Sequence, residues 1–192
     1  TLTCMMTGEH EWQGVRRRLD PDPYGRWIVI ANYIDAVPEY AHMSGLRRAA
    51  YELAAEAGRR GVYAAEASYD DYKRKLREGL AEDEKAIWDI IAPPAGVRPP
   101  PEAGRELAAK LTAAANRLDP GLDPRPWLQR LDQRIVLAHG YDDRLIPFTE
   151  TLRLRSEMPP SASVSLSLTR LFSHSREAER LRFLEYPREV GR

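Results

Sequence analysis

The hydrophobic pattern of this chain changes period at Arg134, and that change constrains its fold more than any other feature. From about residue 9 to about residue 130, apolar residues recur at three- and four-residue steps interrupted by proline, a helical pattern. Beyond Arg134 the run "RIVLAHG" is a short block of β-formers. "PFTETLRLRSEM" then returns to helical spacing with Pro147 near its first turn, and "ASVSLSLTRLF" alternates Val164, Leu166 and Leu168 with serine. From Ser175 onward "SREAERLRFLEYPREV" reads as a last helix, broken at Pro187. The C-terminal region therefore predicts strand, helix, strand, helix. Its first strand is expected to be buried on both faces, as in a parallel α/β sheet with right-handed crossovers.

The helical region divides at its prolines. "GRWIVIANYIDAVPEY" is apolar on nearly all sides at Trp27, Ile28, Val29, Ile30, Tyr33, Ile34 and Val37, and its length favours a buried helix over a strand. Ser44 is the expected N-cap of the next helix, which places Leu46, Ala49, Ala50, Leu53, Ala54 and Ala57 on one narrow face before Gly58 and Gly61. Residues 69–80 and 82–91 read as two more helices, the second opening with "EDE", where negative charge suits the N-terminal end of the macrodipole. "APPAGVRPPP", over 92–101, is a stiff connector and the best internal boundary. Residues 102–118 form another alanine-rich helix, followed by turn and loop in "DPGLDPRPW".

Charge excludes one large class of function. The 192 residues hold 29 basic and 29 acidic side chains, so nothing draws the chain to phosphate backbones, and no nucleic-acid partner is expected. The clusters "RRR" at Arg16 to Arg18 and "KRK" at Lys73 to Lys75 have acidic neighbours and read as solvated helix faces. A single cysteine, Cys4, cannot form an internal disulfide, and no Cys/His cluster has zinc-site spacing; a reducing, cytoplasmic setting is the simpler expectation. No apolar run approaches the roughly 18 residues of a membrane span, and the opening lacks the charged end and apolar centre of a signal peptide. That opening, "TLTCMMTGE", begins with Thr1 and looks like a helix entered in mid-course, as if cut from something longer.

In open parallel sheets, ligands gather at the carboxyl ends of the strands. The "HGYDD" loop leaves one strand end and "RLFSHS" leaves the next, so an acid and a histidine are expected on one rim. A nucleophilic hydrolase needs that pair: a carboxylate to hold the imidazole tautomer, and an imidazole to take a proton from the nucleophile. "VLAHGYDDRLIP", a helix, a strand and "LFSHS" together resemble the C-terminal third of the α/β-hydrolase superfamily. The resemblance implies an acid at Asp143 and a base at His174. It also implies a fold in which residues 1–130 are a mainly helical cap and residues 131–192 are the last strand-helix-strand-helix of the hydrolase core. The implied chemistry is hydrolysis of an ester or related acyl bond in a small-molecule substrate, with no metal or organic cofactor required. Taken alone, Asp143 is also a turn former, and Asp142 beside it shows turn chemistry. His139 is expected to pack or to bond backbone, His10 and His42 to lie at the surface, and Trp27, Tyr33, Tyr63, Tyr69, Trp88 and Trp127 to belong to core packing or to an apolar acyl pocket.

The nucleophile is missing. A serine hydrolase of this kind carries its serine in a G-x-S-x-G elbow, and no such turn exists here. Ser44 in "AHMSGL" lacks the first glycine, Ser68 in "EASYDD" lacks both, and the serines of 161–167 belong to the exposed side of a strand. Thr1 as an N-terminal nucleophile would need layered antiparallel sheets, against the mainly helical pattern. The chain alone is therefore expected to be inactive. It would be either a piece completed by a missing N-terminal segment or a homodimer partner, or a non-catalytic helical interaction module derived from a hydrolase.

Overall fold

The computed structural model describes residues 2–18, 23–60, 65–143 and 146–170. The expected final helix, Gly61, Tyr63 and His174 lie outside the described residues. The chain forms two compact units, one of Leu2–Gly8 with Pro21–Leu122 and one of Glu9–Asp20 with Asp123–Arg192.

The first unit is helical. It holds α1 (Leu2–Thr7), α2 (Pro23–Tyr33), α3 (Ser44–Arg60), α4 (Asp70–Glu78), α5 (Glu82–Ile91) and α6 (Pro101–Leu118), joined by short 3-10 turns. The three- and four-residue spacing seen in the sequence becomes a buried stripe: Leu46, Ala49, Ala50, Leu53, Ala54 and Ala57 on α3, and Leu107, Ala108, Leu111, Ala114 and Ala115 on α6. Trp27 and Ile30 of α2 and Trp88 and Ile91 of α5 complete the core. The proline-rich connector over 92–100 lies inside this unit. Ser44 is the first residue of α3 rather than its cap, and the Leu46 N–H is taken by Glu84 Oε1 from α5 at 3.0 Å. Lys73, expected on a solvated face, is 3% exposed: its ammonium donates to Glu66, Asp70 and the Pro93 carbonyl and sits over the Trp27 ring. A lysine this deep is tolerated because two carboxylates and a carbonyl replace its water.

The second unit is mixed. A hairpin of β1 (Glu9–Trp12) and β2 (Val15–Arg18) pairs Trp12 opposite Val15 across a two-residue turn. Gln13 has φ 47° and Gly14 φ 79°, the double positive φ of a type I′ turn, whose twist matches that of the flanking strands. Arg16 to Arg18 therefore stand on a strand, not on a helix face. One helical turn, α7 (Arg125–Leu128), precedes β3 (Ile135–Gly140), α8 (Phe148–Ser156) and β4 (Val164–Thr169). β3 and β4 pair in parallel, Ile135 opposite Val164 through Gly140 opposite Thr169.

This architecture corrects the expected fold class. The described residues are mainly helical, with two sheets of two strands each, and do not form a portion of an α/β-hydrolase fold. The strand over 135–140 is not buried on both faces either. Its Ile135, Leu137 and His139 face is half-covered, whereas Val136 on the other face is 67% exposed and Ala138 is exposed with it. A parallel sheet needs cover on both sides and more than one neighbour per strand. Neither is present among the described residues, and the apolar composition of "RIVL" alone could not report that.

Candidate functional site

The carboxyl end of β3 builds the site from a tight turn. Gly140 is the last strand residue, and the next amide, that of Tyr141, donates to Thr169 O at the end of β4 (2.7 Å). The Asp143 N–H closes back on Gly140 O at 3.2 Å, so Tyr141 and Asp142 occupy the corner. This leaves the Asp143 side chain folded inward, 6% exposed, with Oδ1 accepting the Ile146 N–H at 2.9 Å. The turn is thus held by its own acid, and turn forming and burial of a carboxylate are the same event here.

His139 stands one residue before Gly140 on the half-covered face of β3. Its Nε2 lies 2.9 Å from Ile146 O, its Nδ1 lies 2.6 Å from Thr151 Oγ1 of α8, and Nε2 stands 3.7 Å from Asp143 Oδ2. Backbone bonding, expected for this residue, is made through Nε2. Tyr141 stacks on Phe148 with ring centroids 4.8 Å apart, which seats the turn on the start of α8. On the β4 side, Arg170 reaches back: its Nε is 3.5 Å from Asp142 Oδ2 and its guanidinium lies over the Tyr141 ring at 5.7 Å. The two strand ends therefore share a rim composed of Tyr141, Asp142, Asp143 and Arg170. Of the two expected catalytic residues, Asp143 stands there and His174 lies outside the described residues.

Other histidines sit differently from expectation. His10 is buried rather than superficial: β1 presents it inward, where Nε2 meets Thr149 Oγ1 at 2.6 Å and Nδ1 stands 3.7 Å from Glu150 Oε1. Hydroxyl, imidazole and carboxylate thus line up as in a hydrolytic triad. Thr149, however, is fully buried, so no substrate carbonyl reaches its oxygen, and the group ties the hairpin to α8. The signal for His10 was the alternation of "EHEW" ahead of a two-residue Gln-Gly loop. His42 is exposed as expected and pairs with Asp83 at 2.9 Å.

Among the described residues no group of three His, Cys, Asp or Glu side chains could hold a metal ion. Trp27, Tyr69 and Trp88 are core residues, and Trp127 is 56% exposed, so they do not jointly line a pocket. A groove of about 170 Å³ between α3 and α4 is lined by Arg48, Glu52, Lys75 and Leu76 and contains no serine, cysteine or histidine. Ser165 and Ser167 are exposed on β4, and Ser68 donates its hydroxyl to Ala65 O. No helix among the described residues is long and apolar enough to cross a membrane. No family model matches the chain, and neither a curated protein nor a solved structure matches it.

Proposed function

We propose that the turn after β3 carries the acid of a hydrolase that cleaves a carboxylic ester or related acyl bond in a small-molecule substrate. Asp143 orients the His174 imidazole and stabilises its charged form, His174 moves the proton, and a serine from a partner segment bearing a G-x-S-x-G turn attacks the carbonyl. The resemblance of "VLAHGYDDRLIP" and "LFSHS" to the acid and histidine motifs of the α/β-hydrolase superfamily supports this chemistry. One structural observation carries it: Arg170, four residues before His174, touches Asp142. Four residues of extended chain span at most about 14 Å, a length that would let His174 approach the neighbouring Asp143.

The test uses the product of the complete reading frame. Asp143→Asn and His174→Ala are each expected to lower kcat on a p-nitrophenyl ester by at least about 10³-fold without changing the circular dichroism spectrum. Undiminished turnover in either variant rejects the reading. The 192-residue chain by itself is expected to resist labelling by a serine-directed phosphonate.

A second reading, a helical interaction module, is favoured by the core of the helical unit, which is built wholly from that unit's own residues. A reading frame that encodes no G-x-S-x-G elbow would select it.

A further inference from the structure

We infer that His139 is a positioning residue: held between Thr151 and Ile146, with its Nε2–H given to the Ile146 carbonyl, it fixes the turn that presents the Asp143 carboxylate. The inference rests on Asp143 being the acid, and its geometry is independent of any catalysis. Ile146 O can only accept, so at 2.9 Å the His139 Nε2 must carry the hydrogen and donate it. Nδ1 stands 2.6 Å from the Thr151 hydroxyl, which can either donate to it or accept from it. Ile146 is consequently gripped at both backbone ends, its N–H by Asp143 Oδ1 and its carbonyl by His139.

Direct contact between the imidazole and the acid is weaker. Nε2 is 3.7 Å from Asp143 Oδ2, beyond hydrogen-bonding range, and its single hydrogen is committed to Ile146. His139 therefore acts on Asp143 through Ile146. It braces the peptide that the carboxylate holds. A side chain only 14% exposed, with both ring nitrogens engaged, suits that task better than proton exchange with solvent.

The experiment reads the chain by NMR. Imidazole ¹⁵N shifts should show His139 protonated at Nε2, and Thr151→Val, which leaves the Ile146 carbonyl in place, should keep that hydrogen on Nε2. His139→Leu keeps the bulk and removes the donor, so the Ile146 amide should exchange with solvent about tenfold faster or more. His139→Gln restores an N–H donor at similar reach and should hold exchange within about threefold of the parent. A residue that only filled space would give the reverse order, with leucine the milder change. A bare Nε2 in the parent chain, or an Ile146 amide indifferent to His139→Leu, would overturn the inference. If His139→Leu does not fold, the protonation of Nε2 in the parent chain and the His139→Gln exchange rate still decide it. None of these readouts needs turnover, so a parent protein without esterase activity, or an Asp143→Asn variant with undiminished turnover, would remove the functional reading while leaving this one standing or falling on its own result.

Discussion

Glu84 shows how much one buried carboxylate can organise. Its Oε1 accepts the Leu46 N–H at the start of α3, and its Oε2 accepts the Ala81 N–H at the start of its own α5, so two helix beginnings depend on one side chain. Gly45 is the residue that lets it approach, since a Cβ there would stand 2.5 Å from Oε2. Gly45→Ala should therefore lower the unfolding free energy in urea by about 1 kcal/mol, despite alanine's better helix propensity. Combined with Glu84→Ala it should cost little beyond Glu84→Ala alone, because the clash has then lost its partner. At the surface, hydrogen bonds from Arg125 hold the Asp123 carboxyl down at about 2. Its contribution to stability is thus present above the ordinary carboxylate range and disappears as the pH falls toward 2. Carboxyl ¹³C shifts should show Asp123 still ionised at pH 3, and titrating near the usual aspartate range in Arg125→Ala. Residue roles were unevenly legible: the inward acid of "HGYDD" and the backbone bonding of His139 follow from turn chemistry, whereas burial of His10 and Lys73 depends on partners more than a hundred and about twenty positions away, respectively, which no local pattern reports.

Helices were legible where apolar residues kept their three- and four-residue spacing, and α3, α5 and α6 fall where that spacing predicts them. The β1–β2 hairpin was not legible. Its strands are four residues long and crowded with Glu and Arg, and only Gln13-Gly14 marks the turn. Side chains at element ends decide more than propensity, as the two most buried tryptophans illustrate. Trp27 and Trp88 are each 1% exposed, but Trp27 Nε1 donates to Ile91 O at the end of α5, and Trp88 Nε1 has no hydrogen-bond partner among the described residues. Trp27→Phe leaves a terminal helix carbonyl unpaired in the core, while Trp88→Phe removes a donor that was already unsatisfied. In denaturant titrations Trp27→Phe should be the more damaging by about 1–2 kcal/mol.

For the whole molecule, the local periods were readable and the number of strand neighbours was not. A run such as "RIVL" looks the same whether its strand lies inside a broad sheet or in a pair with Val136 facing water, so the α/β expectation failed at the level of assembly rather than of elements. The chain also leaves the helical unit at Gly8 and rejoins it at Pro21, a detour that a linear reading of periodicity passes over. A unit built on two two-stranded sheets has less apolar burial to resist opening than one with a helical core. Amides of β3 and β4 should therefore exchange at least about 100-fold faster, relative to their unprotected rates, than those of Leu53 and Leu111; comparable protection would mean that the mixed unit is as cooperative as the helical one. The alignment of Gly140 with Thr169 bears on more than pairing. Neighbouring side chains on a strand point to opposite faces, so sliding β3 along β4 by a single position would swing the imidazole of residue 139 away from Thr151 and carry the acid's loop off its support. Two six-residue strands thereby serve as the gauge that sets where the carboxylate stands.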